Sequence, residues 1–367
     1  MRIELTEELS PFQLDRWHDL LRNAKSSHPE QDPRFAPVLR ADGFEVVFAL
    51  GWQDDDLQAV AMFALRPHPF LKGYYRDAMT YSGPVCDDRS LLLQFLQELQ
   101  ATDKFRKVGR LRITPFVLGQ EALELGPVLE TLGWHVFEID PIRQTGLVDI
   151  RGTEDEIYQK FVKSARYECR KAMRYDLQID FITEKNGAEE FYECLQRHRL
   201  DRKMASVPKP GFMALVDEVL QYRELGAAVL MRHEGTVVGG WMAFCGHHTA
   251  HMVSAITESS KLKELNNLRV APFLWLDAMR WAKSQGAQWF DVEGYKENME
   301  PDDKFYRVYR YKTEFAPIHT YRVAGHAKIT NAFAHLTGNT KDIAKARAKA
   351  VLALIPHKAR STEQAAD

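Results

Sequence analysis

Apolar and polar positions change rhythm along this chain in a set order, and the order occurs twice. "FEVVFAL" and "LQAVAMFAL" are short runs rich in Val and Phe, joined by the polar "GWQDDD", and they predict two strands of a hairpin. "GYYRDAMTYSG" predicts a third strand. In "RSLLLQFLQELQATDKF", Leu92, Phe95, Leu96 and Leu99 recur at helical spacing. A strand at "RLRIT", a helix at "EALELGPVLETLG" closed by Gly133, and a strand at "WHVFEI" follow. In the second half "GAAVLMRH", "TVVGGWMAFCG" and "TAHMVSAI" predict strands, "RVAPFLWLDAMRWAKSQG" a helix ending at Gly286, and "QWFDVEG" a strand. A helical segment around "FYRVYRYKTEF" and a strand at "FAPIHTYRV" complete the series. Two copies of one α/β unit are the economical reading.

Between the copies, Thr153 and Glu156 form a capping-box pattern, which predicts a helix running to about Tyr175. Two more helices are expected at "GAEEFYECLQRHRLDRKM" and "KPGFMALVDEVLQY". The expected organisation is therefore a first unit over 1–150, a second over 151–323, and a tail over 324–367. Each unit is expected to be a mixed sheet flanked by helices, an α/β (α+β) class. The tail differs in kind: residues 326–360 hold seven Lys/Arg against one Asp. "KDIAKARAKAVLALI" predicts a basic helix that packs on the first unit, or an arm for RNA or the inner membrane face.

Composition narrows the classes. The chain has 367 residues, 45% hydrophobic and 27% charged, as expected of a globular protein with a sizeable core. A net charge of −2 argues against a globally basic nucleic-acid binder, so any polyanion must be met by local patches. Cys86, Cys169, Cys194 and Cys245 are widely spaced, which suits neither a disulfide framework nor a CxxC site. "MRIELTEELSPF" does not read as a secretory leader, and no apolar run approaches 18 residues, so a cytoplasmic location is expected. In "CGHHTAH", His247, His248 and His251 fall at a hairpin between two strands; His247 and His248 would face opposite sides of a strand, and no Cys/His pair has zinc spacing, so no metal is expected.

The segment "FYRVYRYKTEF" carries the sharpest chemical signal. As a helix it aligns Phe305, Val308, Tyr309 and Lys312 at i, i+3, i+4 and i+7. "MEPDD" before it places a proline and acids at a helix start. Lys312 then falls in the last turn, on or beside the inward face. Either its stem snorkels to solvent, or its ammonium points into a pocket with an aromatic floor.

"QWFDVEG", ten residues, then "FYRVYRYKTEF" resembles the signature of the Fem family of non-ribosomal peptidyltransferases, carried here by Asp291, Gly294, Tyr311, Lys312 and Phe315. "TGLVDI" followed by "SARYECRKAMRYDLQIDF", and "FYECLQRHRLDRKMASVPKPGFMALVDEVL", are similar to two further family segments. Tyr311 stands where members usually have Phe, and no long coiled-coil arm is present, which points to the armless FemX-like branch. The resemblance implies two tandem GNAT-like (acetyltransferase-like) domains. It also implies transfer of an aminoacyl group from aminoacyl-tRNA to an amine of a peptide, such as a peptidoglycan precursor.

From the resemblance and the chemistry together, Lys312 is expected to stabilise an oxyanion, with Asp77 and Asp291 as possible proton relays. Arg199 and Arg202, with Arg40 from the first half, are expected at an anionic acceptor. Lys163, Arg166, Arg170 and Arg174 form a stripe, read either as tRNA-phosphate contacts or as a solvated face. Tyr81, Tyr311, Gly294 and Tyr295 complete the expected substrate-binding set. No cofactor is expected besides the aminoacyl-tRNA co-substrate. A CoA-dependent N-acyltransferase is the first alternative, but "NNLRVAPFLWL" lacks the glycines of a pyrophosphate turn, and Pro272 removes a donor. A catalytically inactive RNA- or peptide-binding relative is the second.

Overall fold

A computed structural model describes residues 1–137, 144–295, 298–302 and 306–338. The first half runs β1 (Arg2–Thr6), α1 (Pro11–Asn23), α2 (Ala36–Ala41), β2 (Glu45–Gln53), β3 (Asp56–Pro67), β4 (Tyr75–Met79), α3 (Arg89–Ala101), β5 (Val108–Ile113), α4 (Gly119–Thr131) and β6 (His135–Val136). Then come β7 (Gln144–Asp149), α5 (Glu154–Lys160), α6 (Lys163–Ala172), β8 (Leu177–Phe181), α7 (Lys185–Asp201) and α8 (Lys209–Gln221). The second copy follows as β9 (Gly226–His233), β10 (Thr236–Cys245), β11 (Thr249–Thr257), α9 (Ser259–Glu264), α10 (Ala271–Ser284), β12 (Trp289–Asp291), α11 (Tyr306–Lys312) and β13 (Ile318–Tyr321). The last described elements are β14 (His326–Ile329) and α12 (Ala332–Gly338).

Among the described residues two seven-stranded sheets result, in the orders β1-β2-β3-β4-β5-β14-β6 and β13-β7-β12-β11-β10-β9-β8. Each contains one parallel pair, β4 with β5 and β11 with β12, and its other pairings are antiparallel. The sheets match position for position, and their sixth strands are exchanged. After β6 the chain inserts β7 between β12 and β13 of the other sheet; after β13 it inserts β14 between β5 and β6 of the first. Boundaries at 150 and 323 therefore cut both sheets: 144–149 belongs with the second unit, and 326–338 with the first. The expected helix at 341–355 lies outside the described residues.

Both faces of the central strands β2, β3, β9 and β10 are buried, which is why those strands read as nearly continuous apolar runs. On β2, Val47 and Ala49 face the core with α3 and α4, while Val46, Phe48 and Leu50 face α1, α2 and α8. On β9, Ala227, Val229 and Met231 face one core, Ala228 and Leu230 the other. The core between the halves includes Phe35 against Phe244, ring centroids 4.7 Å apart, and at its solvent-facing edge Arg34 pairs with Glu224.

The helix expected from Thr153 to Tyr175 is broken. Phe161 is extended, its ring lies edge-on to Phe315 at 5.0 Å, and the Val162 N–H donates to the Glu314 carbonyl. Burial of one aromatic and one cross-chain hydrogen bond outweigh helix continuity at that point. Arg166 Nη1 then donates to the carbonyls of Gln159 and Phe161, serving the end of α5.

Candidate active site

α11 continues into a 3₁₀ turn over Thr313–Phe315, and its anchors are aromatic. Phe315 is fully buried and stacks on Trp275 at 4.9 Å; Tyr311 meets Phe315 edge-on at 5.2 Å, and Tyr309 is also buried. Tyr311 therefore faces the core, where burial holds its phenol far above its ordinary pKa and its hydroxyl has no hydrogen-bond partner among the described residues. The stripe differs from the expected one, since Val308 is exposed and Phe305 lies outside the described residues. The next residue along a helix projects about 100° away, so anchoring Tyr311 turns Lys312 toward the chain leaving β12. Its Nζ donates to the carbonyls of Glu293, at 2.5 Å, and Gly294, at 3.4 Å.

That receiving turn is specialised. Glu293 and Gly294 both have positive φ, +50° and +36°, a conformation that suits glycine and strains glutamate. It turns both carbonyls toward Lys312. Asp291 holds the turn: its Oδ1 accepts from the Glu293 N–H at 2.7 Å and from Thr145 Oγ1 at 2.5 Å. Thr145 lies on the exchanged strand β7. Asp291 is fully buried, and its Oδ2 has no hydrogen-bond partner among the described residues. It acts here as a brace. Burial lowers the Lys312 pKa, while the Glu293 and Asp291 charges oppose that shift.

The acid presented to the site is Glu293. Its surroundings, and then the Asp291 charge, push its pKa up to about 7, with Arg322 and Lys312 opposing. Yet 46% of its side chain is accessible. The two observations agree for a carboxylate walled by protein but open on one side. Its Oε1 lies 3.8 Å from Nε2 of His251, which sits opposite Asp291 in the parallel β11–β12 register. His251 is buried and stacks on His28 of the first half at 4.6 Å. His28 packs on Phe116 and is 3.5 Å from Glu30, whose carboxylate accepts from Ser82 Oγ. Arg322 lies over Phe116 and reaches Ser82. Burial lowers the pKa of both imidazoles, so neutral rings are favoured. Tyr81 is on the same side: burial and then the Glu30 charge raise its phenol. Residues of both halves thus meet around Glu293 and Lys312.

Other expected residues lie elsewhere. Asp77 is buried on β4 against Arg76, Arg110 and Arg112, at 3.0, 2.8 and 3.5 Å. Its oxygens are committed to guanidinium groups on the sheet that α12 covers, which gives it a structural role in place of a relay. Arg40 holds the Glu7 carbonyl. Arg199 holds the Ala205 carbonyl, and Arg202 bonds His198 and Thr257. Thr257 is six residues beyond His251 on β11, roughly 20 Å along the strand. Arg170 is exposed on α6 with Lys163, and Arg174 is exposed in the turn beyond the helix end; Arg166 has left that stripe, and the exposed Tyr167 takes its place. Tyr295 is buried, its N–H on the Gln144 carbonyl and its ring 6.1 Å from His319. His248 turns to the Arg22 carbonyl while His251 turns inward, and no three metal-ligating groups converge among the described residues.

Sequence reasoning passed over His28, Glu30, Glu293 and Arg322, and weighed His251 only as a metal ligand. Glu293 lies between Asp291 and Gly294, two of the residues that carry the family resemblance, which was the available signal. His28 and Glu30 lie in a segment singled out only for Arg40.

A cavity of about 560 Å³ is lined by Phe116, which also packs on His28, and by Lys25, Cys86, Arg89, Leu92 and Glu121 among others. No helix of the described residues is long and apolar enough to cross a membrane.

Comparison with known proteins agrees with this architecture. Residues 159–312 match the model of the acetyltransferase (GNAT) domain family. No curated protein matches the chain by sequence. Among solved structures, FemX superposes at TM-score 0.74 with 14% identity, over 90% of this chain and 97% of its own. The C-terminal domain of a protein described as a lysylphosphatidylglycerol synthetase, from Agrobacterium fabrum, aligns at TM-score 0.50 and 15% identity, covering 90% and 96%. A tandem GNAT protein from the clavulanic acid biosynthesis pathway aligns at 0.50 and 12%, covering 90% and 99%. The chain has a FemX-like duplicated GNAT fold, with a GNAT-type acyltransferase domain match in its second half.

Proposed function

We propose that this protein is a cytoplasmic aminoacyltransferase that moves an aminoacyl group from aminoacyl-tRNA to an amine of a peptide acceptor such as a peptidoglycan precursor. The observation that carries the reading is the ammonium of Lys312, held on two carbonyls beside a raised-pKa carboxylate where the two halves meet. An ammonium has three N–H donors. Two are engaged, which fixes the nitrogen and leaves one to aim at a reacting oxygen. In the proposed step the acceptor amine attacks the ester carbonyl carbon and a C–N bond forms. The carbonyl oxygen gains the negative charge, which Lys312 meets. Glu293 takes the proton from the attacking nitrogen. The C–O ester bond then breaks, and the ribose oxygen leaves with that proton, returning Glu293 to its starting state.

The exposed Lys163, Tyr167 and Arg170 on α6, with the exposed Arg174 just after the helix, support an RNA donor, since cations suit phosphates and an exposed ring suits a base. The turn before α10 supports a donor other than CoA: the Leu268 N–H is spent on Leu262 and Leu265, Phe273 and Leu274 both donate to Val270, and Pro272 has no donor. Arg199 and Arg202 are proposed to meet an acceptor only at its far end.

The test is incubation with a mixture of labelled aminoacyl-tRNAs and, separately, with acyl-CoAs. RNase-sensitive transfer without release of free CoA is expected; CoA-dependent transfer would overturn the donor assignment. Lys312→Met is expected to lower kcat about 10²–10³-fold, with acceptor binding little changed. Equal losses in both would reduce Lys312 to a binding role.

A further inference from the structure

Three of the most exposed apolar side chains lie at one corner of the first unit: Phe70, Phe333 and Leu336, at 67%, 63% and 60% exposure. Phe333 and Leu336 stand at i, i+3 on the outer face of α12, while Ala334 and Gly338 face inward. His68 joins the Phe70 loop to this helix, since its Nε2 is 3.0 Å from Thr337 Oγ1 and its ring lies 6.1 Å from Phe70. Single exposed apolar side chains occur elsewhere on the surface, but three gathered at one corner point to a partner.

The charges around it define that partner. Lys72 is exposed in the Phe70 loop. Arg106 and Lys107 are exposed where Asn331, just before α12, bonds the Arg106 carbonyl. The chain leaves α12 at Gly338, and the sequence from 339 to 360 carries Lys341, Lys345, Arg347, Lys349, Lys358 and Arg360 against Asp342 alone. Lys72, Arg106 and Lys107 outnumber the exposed Asp103, which lies 4.0 Å from Arg106, so a cationic segment gains little by lying on this corner. A flat surface that accepts aromatic and aliphatic side chains while presenting negative charge satisfies both features.

We propose that this corner docks the protein on the surface of an anionic lipid bilayer, with Phe70, Phe333 and Leu336 entering the interface and the surrounding and following cations meeting headgroups. The attachment is peripheral. A single small apolar patch binds weakly alone, so patch and charge must act together.

The test is co-sedimentation of the full chain with vesicles of phosphatidylcholine alone and of phosphatidylcholine with 30% phosphatidylglycerol. Binding to the anionic vesicles, at least about tenfold stronger than to neutral ones and weakened by 0.5 M salt, is expected. The double variant Phe333→Glu, Leu336→Glu should lose about tenfold or more, with an unchanged melting temperature because both side chains are exposed. Removal of residues 340–367 should cause a similar loss. Failure to bind anionic vesicles at low salt would overturn the proposal, as would undiminished binding by the double variant. So would stronger patch-dependent self-association after removal of 340–367, because the tail would then be what covers the patch.

Discussion

Glu293→Gln tests the site most directly, because it replaces a titrating oxygen with a neutral group of nearly the same shape. The carboxyl pKa is raised from 4.5 to about 7 by its surroundings and by the Asp291 charge. Converted in full at 1.36 kcal/mol per unit, that is about 3 kcal/mol. Water reaches 46% of the side chain and screens the repulsion, so about 1–2 kcal/mol is the effect to expect. The sign follows from linkage. Below about pH 4.5 the group is protonated in both the folded and the unfolded chain, and its ionisation costs nothing. As pH rises toward 7 the unfolded chain releases the proton while the folded chain keeps it, and stability falls. Above about 7 the loss is complete. Glu293→Gln should therefore be more stable than the parent at pH 8 by about 1–2 kcal/mol, with little difference near pH 4.5. Urea denaturation at pH 5 and pH 8 measures this. A stability difference that is the same at both pH values would show that the carboxyl titrates normally. In the transfer assay the same variant should lose about 10²–10⁴ in rate, along with the rate increase between pH 6 and 8 that deprotonation of Glu293 confers. A variant of parental rate would refute the proton-acceptor role.

Asp77→Ala should destabilise by about 3 kcal/mol, because three guanidinium groups lose their shared partner, while the rate per folded molecule stays within about twofold; thermal melts and active-fraction-corrected kinetics separate the two. Phe315→Ala should cost about 3–5 kcal/mol and also slow transfer, since the ring anchors the helix that aims Lys312. Arg166→Ala should lower the melting temperature by removing the donor to two carbonyls. Arg170→Ala should leave stability unchanged and reduce the salt dependence of tRNA binding by about one phosphate contact. Ending the chain before His326 should prevent folding of the first unit, visible as aggregation on size exclusion, because β5 and β6 would both lose their shared neighbour.

The repeat was legible because both copies alternate between a period of two and a period of 3.6, and because buried strands leave continuous apolar runs. The break between α5 and α6 was not: Thr153 and Glu156 signal a helix start, but its end depends on Phe161 finding Phe315, some 150 positions away. Lys312 was legible as a cation among aromatics. The orientation of Tyr311 was not, because periodicity identifies a face without saying which neighbour that face meets. Glu293 could be seen only as a neighbour of Asp291 and Gly294; its raised pKa comes from desolvation in the closed fold and then from the Asp291 charge, which outweigh the opposing Arg322 and Lys312.

The amino-acid sequence by itself determined the strand and helix types, their duplicated order, and the short aromatic–lysine segment, all of which are set by local spacing and turn chemistry. Only the tertiary structure decided that β7 and β14 change places between the sheets, that Asp77 is committed to arginines, and that His28 and Glu30 of one half face His251 and Glu293 of the other. Local forces act over a few residues and leave their mark as periodicity. Pairing between distant strands, and the desolvation that moves a carboxyl pKa, depend on which surfaces finally close on one another.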